Sequence, residues 1–263
     1  MAEDAIRFDD GAQYEEMMGR WSAQVGDIFL DWLQIGPAAR WLDVGCGNGA
    51  FTARVFERNA PAAVTAFDPS PEQLAYARTR LPAGTPVTWV EADAQALPVE
   101  DAAHDVAIMA LVLFFVPDPR RGIAEMVRAV RAGGTVAAYH WDMLGHGFPF
   151  AALGQACKAA DATPRMPPSV DASTLEASKA LWLDAGLTQV ELRTITVESE
   201  FRDFDSYWNT ARGSNAMRPM FNNLDADQLA AVKSDARARL GAGDGALRVT
   251  ARANAVKGVK PRG

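Results

Sequence analysis

Apolar residues recur at helical spacing between Tyr14 and Ile35, where Met18, Trp21, Val25, Ile28, Phe29 and Trp32 fall on one face. Gly19 and Gly26 predict a break into two helical pieces, and Gly36-Pro37 supplies the stop. From Trp41 the pattern changes. Short apolar runs begin at Trp41, Ala63, Val87 and His104, and helical stretches separate them: Ala50 to Arg58, one through Leu74, Ala77 and Leu81, and one after Asp118-Pro119 through Ile123, Met126, Val127 and Val130. Continuous apolar runs alternating with helices predict buried parallel strands in an α/β fold. A fifth strand is expected from Thr135 to His140.

Past Trp141 no regular period runs for long before Asp171, and Pro149, Pro164, Pro167 and Pro168 punctuate the stretch. Ser173-Thr-Leu-Glu176 reads as a capping box opening a helix that ends at Gly186. Val190, Leu192, Ile195 and Val197 alternate with a one-residue slip near Arg193-Thr194, which predicts a strand with a bulge. Phe204 to Arg212 reads as a short insertion, Asp225 to Leu240 as a helix, and the alternation at Leu247, Val249, Ala251 and Ala253 as a final strand.

The chemistry gathers at Trp41-Leu-Asp43-Val-Gly45-Cys46-Gly47-Asn48-Gly49, where a strand feeds a helix through a glycine loop. Such a loop lets a ligand lie against bare backbone, beside the unpaired N–H groups of a helix N-terminus. Dinucleotide sites use G-x-G-x-x-G. Here the spacing is G-x-G-x-G, preceded by Asp43, whose carboxylate suits a ligand carrying a positive amino group. The stretch resembles motif I, (D/E)-x-G-x-G-x-G, of the class I S-adenosylmethionine-dependent methyltransferases, and within them the small-molecule, ubiquinone/menaquinone methyltransferase-like branch.

Asp68, at the end of the second strand beside Pro69, can accept hydrogen bonds from both hydroxyls of a ribose. It is free to do so because Ser70-Pro71-Glu72-Gln73 carries its own helix cap. Glu91-Ala92-Asp93-Ala94-Gln95-Ala96-Leu97-Pro98 resembles the family's G-D-A-x-x-L-P, which assigns the exocyclic amine of adenine to Asp93 and a ring nitrogen to the N–H of Ala94. The resemblance also implies that the first helix lids the cofactor, with Tyr14 and Arg20 reaching the site. The tract from Ala110 to Val116, beginning with Leu111, is expected to turn over the cofactor. The implied fold is a doubly wound, Rossmann-like, seven-stranded, mostly parallel sheet with a terminal antiparallel β-hairpin and a helical lid after strand five. The expected division is a single domain: lid helix 1–36, cofactor core 37–142, substrate-side insertions 143–172 and 202–224, and the rest of the sheet within 173–263.

Composition narrows the function. The chain of 263 residues carries a formal charge of −7, which argues against a nucleic-acid surface. No basic, apolar leader opens it and no apolar run is long enough to span a bilayer, so a cytoplasmic protein is expected. Its two cysteines make no disulfide framework, and no set of residues has metal-ligand spacing. The expected partner is a small-molecule methyl acceptor, with S-adenosyl-L-methionine as cofactor and S-adenosyl-L-homocysteine as product. His140 and His146 follow strand five beside Asp142 and are the candidate general bases; Trp141, Tyr207 and Trp208 are candidates for an apolar acceptor wall. Three rivals remain. A nicotinamide oxidoreductase would have no use for Asp43. A polyamine synthase would need acids in the acceptor pocket beyond Asp142 and Asp161. A non-catalytic binder of the same cofactor would look the same in sequence.

Overall fold

A computed structural model describes residues 11–162, 166–214 and 217–262. In chain order the elements are α1 (Gly11–Leu33), β1 (Arg40–Val44), α2 (Ala50–Asn59), β2 (Ala63–Asp68), α3 (Pro71–Ala77), β3 (Val87–Glu91), β4 (His104–Ala110), α4 (Pro119–Ala129) and β5 (Val130–Trp141). Then follow α5 (Ala151–Ala159), α6 (Leu175–Asp184), β6 (Thr188–Phe201), α7 (Phe204–Gly213), α8 (Ala226–Arg239) and β7 (Leu247–Val259). One sheet of seven strands runs β3-β2-β1-β4-β5-β7-β6. The five strands from β3 to β5 are mutually parallel, and β7 alone runs against its neighbours.

Both faces of the sheet are covered, as apolar runs on central strands require. Alternate residues serve opposite faces. Trp41, Val106, Ile108, Ala137 and Tyr139 pack under α1 and α2, while Leu42, Val44, Ala107, Met109, Val136 and Ala138 pack under α4 and α6. The indole of Trp182 on α6 is fully buried and donates to the carbonyl of Val136 at 2.9 Å.

Several expectations shift. α1 is one continuous helix and not two pieces: Gly26 is packed against another element and Gly19 against a side chain one turn back in its own helix. A Cβ on Gly26 would stand 3.3 Å from the ring of Phe51, and one on Gly19 would stand 2.7 Å from the carboxylate of Glu15. The stretch after β5 contains a regular helix, α5. The cap of α6 is Thr174, whose hydroxyl accepts from the N–H of Ala177 at 3.2 Å; Ser173 lies in the 3₁₀ turn before it. No bulge occurs at Arg193-Thr194: β6 pairs with β7 residue for residue from Glu191 to Phe201, and its one register shift lies between Thr188 and Glu191, where Gln189 has φ 50°. β6 and β7 are antiparallel neighbours, but α7 and α8 separate them in sequence, so the pair is not a tight hairpin.

The register fixes where the site can be. Ala253 of β7 faces both Trp141, the last residue of β5, and Ile195 of β6. The β6–β7 ribbon therefore continues past the carboxyl end of β5 as far as Phe201↔Leu247. α7 and α8 leave from the end of this projecting ribbon, and α5 leaves from the end of β5 to pack on α8, so both segments stand at the carboxyl edge of the parallel strands. An aromatic cluster consolidates this cap. The rings of Phe150 and Tyr207 stack at 5.0 Å, Phe201 meets Tyr207 edge-on at 5.2 Å, and the hydroxyl of Tyr207 donates to the carbonyl of Pro149 at 3.2 Å.

Candidate cofactor site at the carboxyl edge

The loop between β1 and α2 is held from below by the end of β2. The N–H groups of Gly45 and Cys46 both donate to the carbonyl of Phe67, at 2.7 and 2.8 Å. The N–H of Gly47 donates to a carboxylate oxygen of Asp68 at 2.8 Å. All three glycines take positive φ: 78° at Gly45, 53° at Gly47 and 77° at Gly49. Their surroundings differ. A methyl group on Gly45 would strike Val112, and one on Gly49 would stand 2.9 Å from both Ala77 and Trp89, whereas one on Gly47 would project into open space. Gly45 and Gly49 thus admit close packing, and Gly47 opens the cradle to a ligand.

Two buried carboxylates floor this cradle. Asp43 is 1% exposed; one oxygen accepts the hydroxyl of Thr52 at 2.5 Å and the other has no partner among the described residues. Burial raises its pKa from 3.8 to about 7, against the lowering effect of the Thr52 hydrogen bond. Asp68 is also buried, and burial raises its pKa against the opposing N–H groups of Ser70 and Gly47. Among the described residues neither acid has a salt-bridge partner. Two buried acids without a counter-ion suit a ligand that brings a cationic group and hydroxyl donors. Cys46 is buried between them, and its thiol is pushed up by desolvation and then by the charges of Asp43 and Asp68, so it stays protonated.

Ser70, not Asp68, caps α3, accepting from the N–H of Gln73 at 3.2 Å; the second oxygen of Asp68 accepts from the N–H of Ser70 at 2.9 Å, and Pro69 between them is exposed. Asn48 accepts from the N–H of Ala50 at 3.2 Å, closing the first turn of α2. Asp93, exposed, accepts from the N–H of Gln95 at 2.8 Å, and Ala94 beside it is half-buried. Leu111, buried with φ 65°, donates its N–H to the carbonyl of Tyr139 at 2.8 Å; this strained residue starts the turn Leu113–Phe115 beside Val112, which packs on Gly45. These loops share the carboxyl edge.

The remaining assignments stand apart from the cradle or outside the described residues. The side chain of Tyr14 lies outside the described residues. Arg20 is on the wrong face of α1 to meet the loop: its guanidinium donates to the carbonyl of Glu200 at 3.1 Å and lies 5.3 Å from the ring of Phe201, both on the projecting ribbon. His140 points away from the cradle into the interface with α6. It is fully buried, its Nε2 lies 3.0 Å from the hydroxyl of Ser178, and that hydroxyl donates to the carbonyl of Ala172 at 3.1 Å, so Nε2 carries the proton. Desolvation lowers its pKa from 6.5 to about 4. An imidazole so enclosed is a poor general base. His146 is exposed at φ 59° near Gln155, Lys158 and Arg239, on the outer side of the cap. Trp141, Tyr207 and Trp208 are buried in the packing of the cap. Asp142 is taken by Arg252, which donates to it at 2.7 and 2.8 Å.

Sequence reasoning missed the residues that position the loops. Arg128 donates to the carbonyls of Leu97 and Val99, and Glu125 accepts from the N–H of Leu97 at 2.8 Å, pinning the loop after β3 to α4. Glu15 and Arg80 meet at Asn48. None of the four belongs to a glycine or acid motif; their long spacings make contacts that only the fold creates. Among the described residues no three His, Cys, Asp or Glu side chains converge to hold a metal ion, and no helix is long and apolar enough to cross a membrane.

Residues 42–138 match the family described as methyltransferase domain, a span that covers β1 to β5 and every loop of the cradle. An uncharacterised protein of Mycobacterium tuberculosis is 35% identical over 127 residues, 48% of this chain and 44% of that protein. The malonyl-[acyl-carrier protein] O-methyltransferase of Hahella chejuensis is 29% identical over 130 residues, 49% of this chain and 46% of that enzyme. The chain thus spans less than half the length of the curated relatives it matches. Among solved structures, a Haemonchus contortus phosphoethanolamine N-methyltransferase in complex with phosphomonomethylethanolamine and S-adenosylhomocysteine superposes with a TM-score of 0.62 at 18% identity, covering 97% of this chain and 58% of that one. Motif I, the cradle and the seven-stranded order thus stand together in a chain whose residues 42–138 match the methyltransferase domain family.

Proposed function

We propose that this chain transfers a methyl group from S-adenosylmethionine to a small-molecule acceptor. The carrying observation is the pair of buried carboxylates without counter-ions, Asp43 and Asp68, under an open glycine at Gly47. The unpartnered oxygen of Asp43 suits the ammonium of the methionyl moiety, and the free lone pairs of Asp68 suit ribose hydroxyls. Asp93 and Ala94 would take the adenine edge, with Leu111 and Val112 against the cofactor.

When bound, the cofactor supplies an electrophilic methyl on a sulfonium, displaced in line by the acceptor's nucleophilic atom. The protein's contribution is position and a dry cleft. Loops from the carboxyl ends of β1 to β5 form one wall, and the aromatic cap of α1, α5, α7 and the β6–β7 ribbon forms the other. The mutual packing of Trp21, Phe150, Phe201, Phe204 and Tyr207, all buried, holds this cap together. The charge of −7 disfavours nucleic acid as that acceptor. With His140 enclosed and His146 outside, the reaction is expected to use an acceptor that needs no protein base, or one whose proton leaves to water.

Calorimetric titration with S-adenosylhomocysteine, with NADH as the control, tests the cofactor assignment. Binding of the nucleoside alone, weakened by at least tenfold in Asp68→Ala, is expected, since a charged hydrogen bond to a hydroxyl is worth about 1.5–3 kcal/mol. NADH binding in place of the nucleoside would reverse the assignment. Turnover of S-adenosylmethionine against a panel of small phenols, hydroxyquinones, carboxylic acids and amines then separates an enzyme from a binder.

A further inference from the structure

The peptide at Asn48 lies between two residues in left-handed backbone, Gly47 at φ 53° and Gly49 at φ 77°. Such a segment has little intrinsic preference for one conformation. It is restrained from outside. The Nε of Arg80, three residues beyond α3, donates to the carbonyl of Asn48 at 2.7 Å. The other arm of the same guanidinium pairs with the carboxylate of Glu15, in the second turn of α1. The same Glu15 oxygen accepts from the side-chain amide of Asn48 at 3.3 Å. Arg80 is oriented by the ring of Tyr76, 5.3 Å away, and Glu15 folds along its helix into the space that Gly19 leaves by lacking a side chain.

α1 is therefore held in two ways. Its C-terminal half is fastened to α2 by the ion pairs of Asp27 with Arg54 and Arg58 and of Asp31 with Arg58. Its N-terminal half crosses the carboxyl edge from the loop at Glu15 to the ribbon at Arg20, and among the described residues its ionic tie to the loop is the carboxylate of Glu15.

We propose that Arg80 is a positioning residue for the glycine loop, and that its pair with Glu15 latches α1 over the cofactor, so that cofactor exchange requires the pair to open. The inference rests on the cofactor reading above. The chemistry asks for arginine in particular. One planar fork reaches a carbonyl with Nε and a carboxylate with a terminal nitrogen, which the single ammonium of lysine cannot do in that geometry. The pair is partly exposed, with side-chain exposures of 20% for Arg80 and 41% for Glu15, so it is weak enough to open and subject to screening by salt.

Release of preloaded S-adenosylhomocysteine, chased by excess unlabelled compound, is the deciding measurement on the full chain. Arg80→Met and Arg80→Lys are expected to speed release about tenfold, the equivalent of one charge-assisted hydrogen bond. Glu15→Gln keeps an acceptor for Asn48 but removes the charge. It is expected to speed release a few-fold, and the rise in release rate between low and high salt that is expected of the unsubstituted protein should be absent from it. In the unliganded protein, hydrogen exchange should quicken at residues 17–21 in Arg80→Met and stay unchanged at residues 27–33. Wild-type release from Arg80→Lys would overturn the proposal, as would a salt dependence that survives in Glu15→Gln. If the unsubstituted protein fails to bind the nucleoside, the cofactor reading and the exchange step fall together, while hydrogen exchange still judges the Arg80 bridge by itself.

Discussion

Gly47 and Gly49 share the left-handed backbone, yet a methyl group at each meets a different fate. At Gly49 it would stand 2.9 Å from Ala77 and Trp89. Gly49→Ala should lose about 2–5 kcal/mol, from left-handed strain of about 1–2 and crowding of about 1–3 kcal/mol, read as a lower midpoint in urea. At Gly47 the methyl group is free, so Gly47→Ala should cost only the strain, about 1–2 kcal/mol, while weakening S-adenosylhomocysteine at least tenfold by calorimetry. Equal loss of stability in both variants would remove the distinction between a packing glycine and a ligand glycine. The spacing of residues 43–49 announced a loop for a small ligand, but not which glycine does what. That depends on Val112, Ala77 and Trp89, which come from other parts of the chain.

At the scale of elements, local signals were reliable where local forces decide. The cap at Ser70 and the left-handed stop at Gly186, with φ 78°, are short-range chemistry and stand where the sequence puts them. α6 shows the limit. Ser173 and Thr174 are equivalent caps on paper, but the 3₁₀ turn Val170–Ser173 turns Ser173 inward, where its hydroxyl is buried without a partner among the described residues. Thr174→Ala should cost about 1 kcal/mol, whereas Ser173→Ala should be neutral or stabilising by up to about 1 kcal/mol, both by thermal melts. The slip in β6 teaches the same lesson. Val190 and Leu192 pack on the α6 face, and Ile195 and Val197 on the α1 face, so the apolar pattern changes sides while the ladder stays regular. A sequence pattern reports which face is covered, and a change of cover looks like a bulge.

Across the whole molecule, two buried groups set opposite pH limits. Asp43 takes up its proton more readily in the fold, with a pKa raised from 3.8 to about 7. Its stabilising contribution is complete below pH 4 and is lost as pH rises through 7. Asp43→Asn should therefore gain stability over the unsubstituted protein by a few kcal/mol between pH 4 and pH 7.5, measured by urea unfolding. His140 resists protonation, with a pKa lowered from 6.5 to about 4. Its contribution is complete above pH 6.5 and is lost as pH falls towards 4, because the unfolded chain binds a proton that the fold refuses. His140→Gln should flatten that acid limb by roughly 3 kcal/mol.

What the sequence determined by itself was everything set by nearest neighbours and period. That comprises the order of strands and helices through β5, the glycine loop behind Asp43, and the acids Asp68 and Asp93 that end successive strands. What only the tertiary structure decided was which side chains reach that loop. Arg20 turned to the ribbon, His140 was sealed under α6, and Glu15 and Arg80 closed on Asn48. A period of 3.6 residues tells how a helix divides into faces, but what each face meets depends on elements that fold beside it from distant parts of the chain.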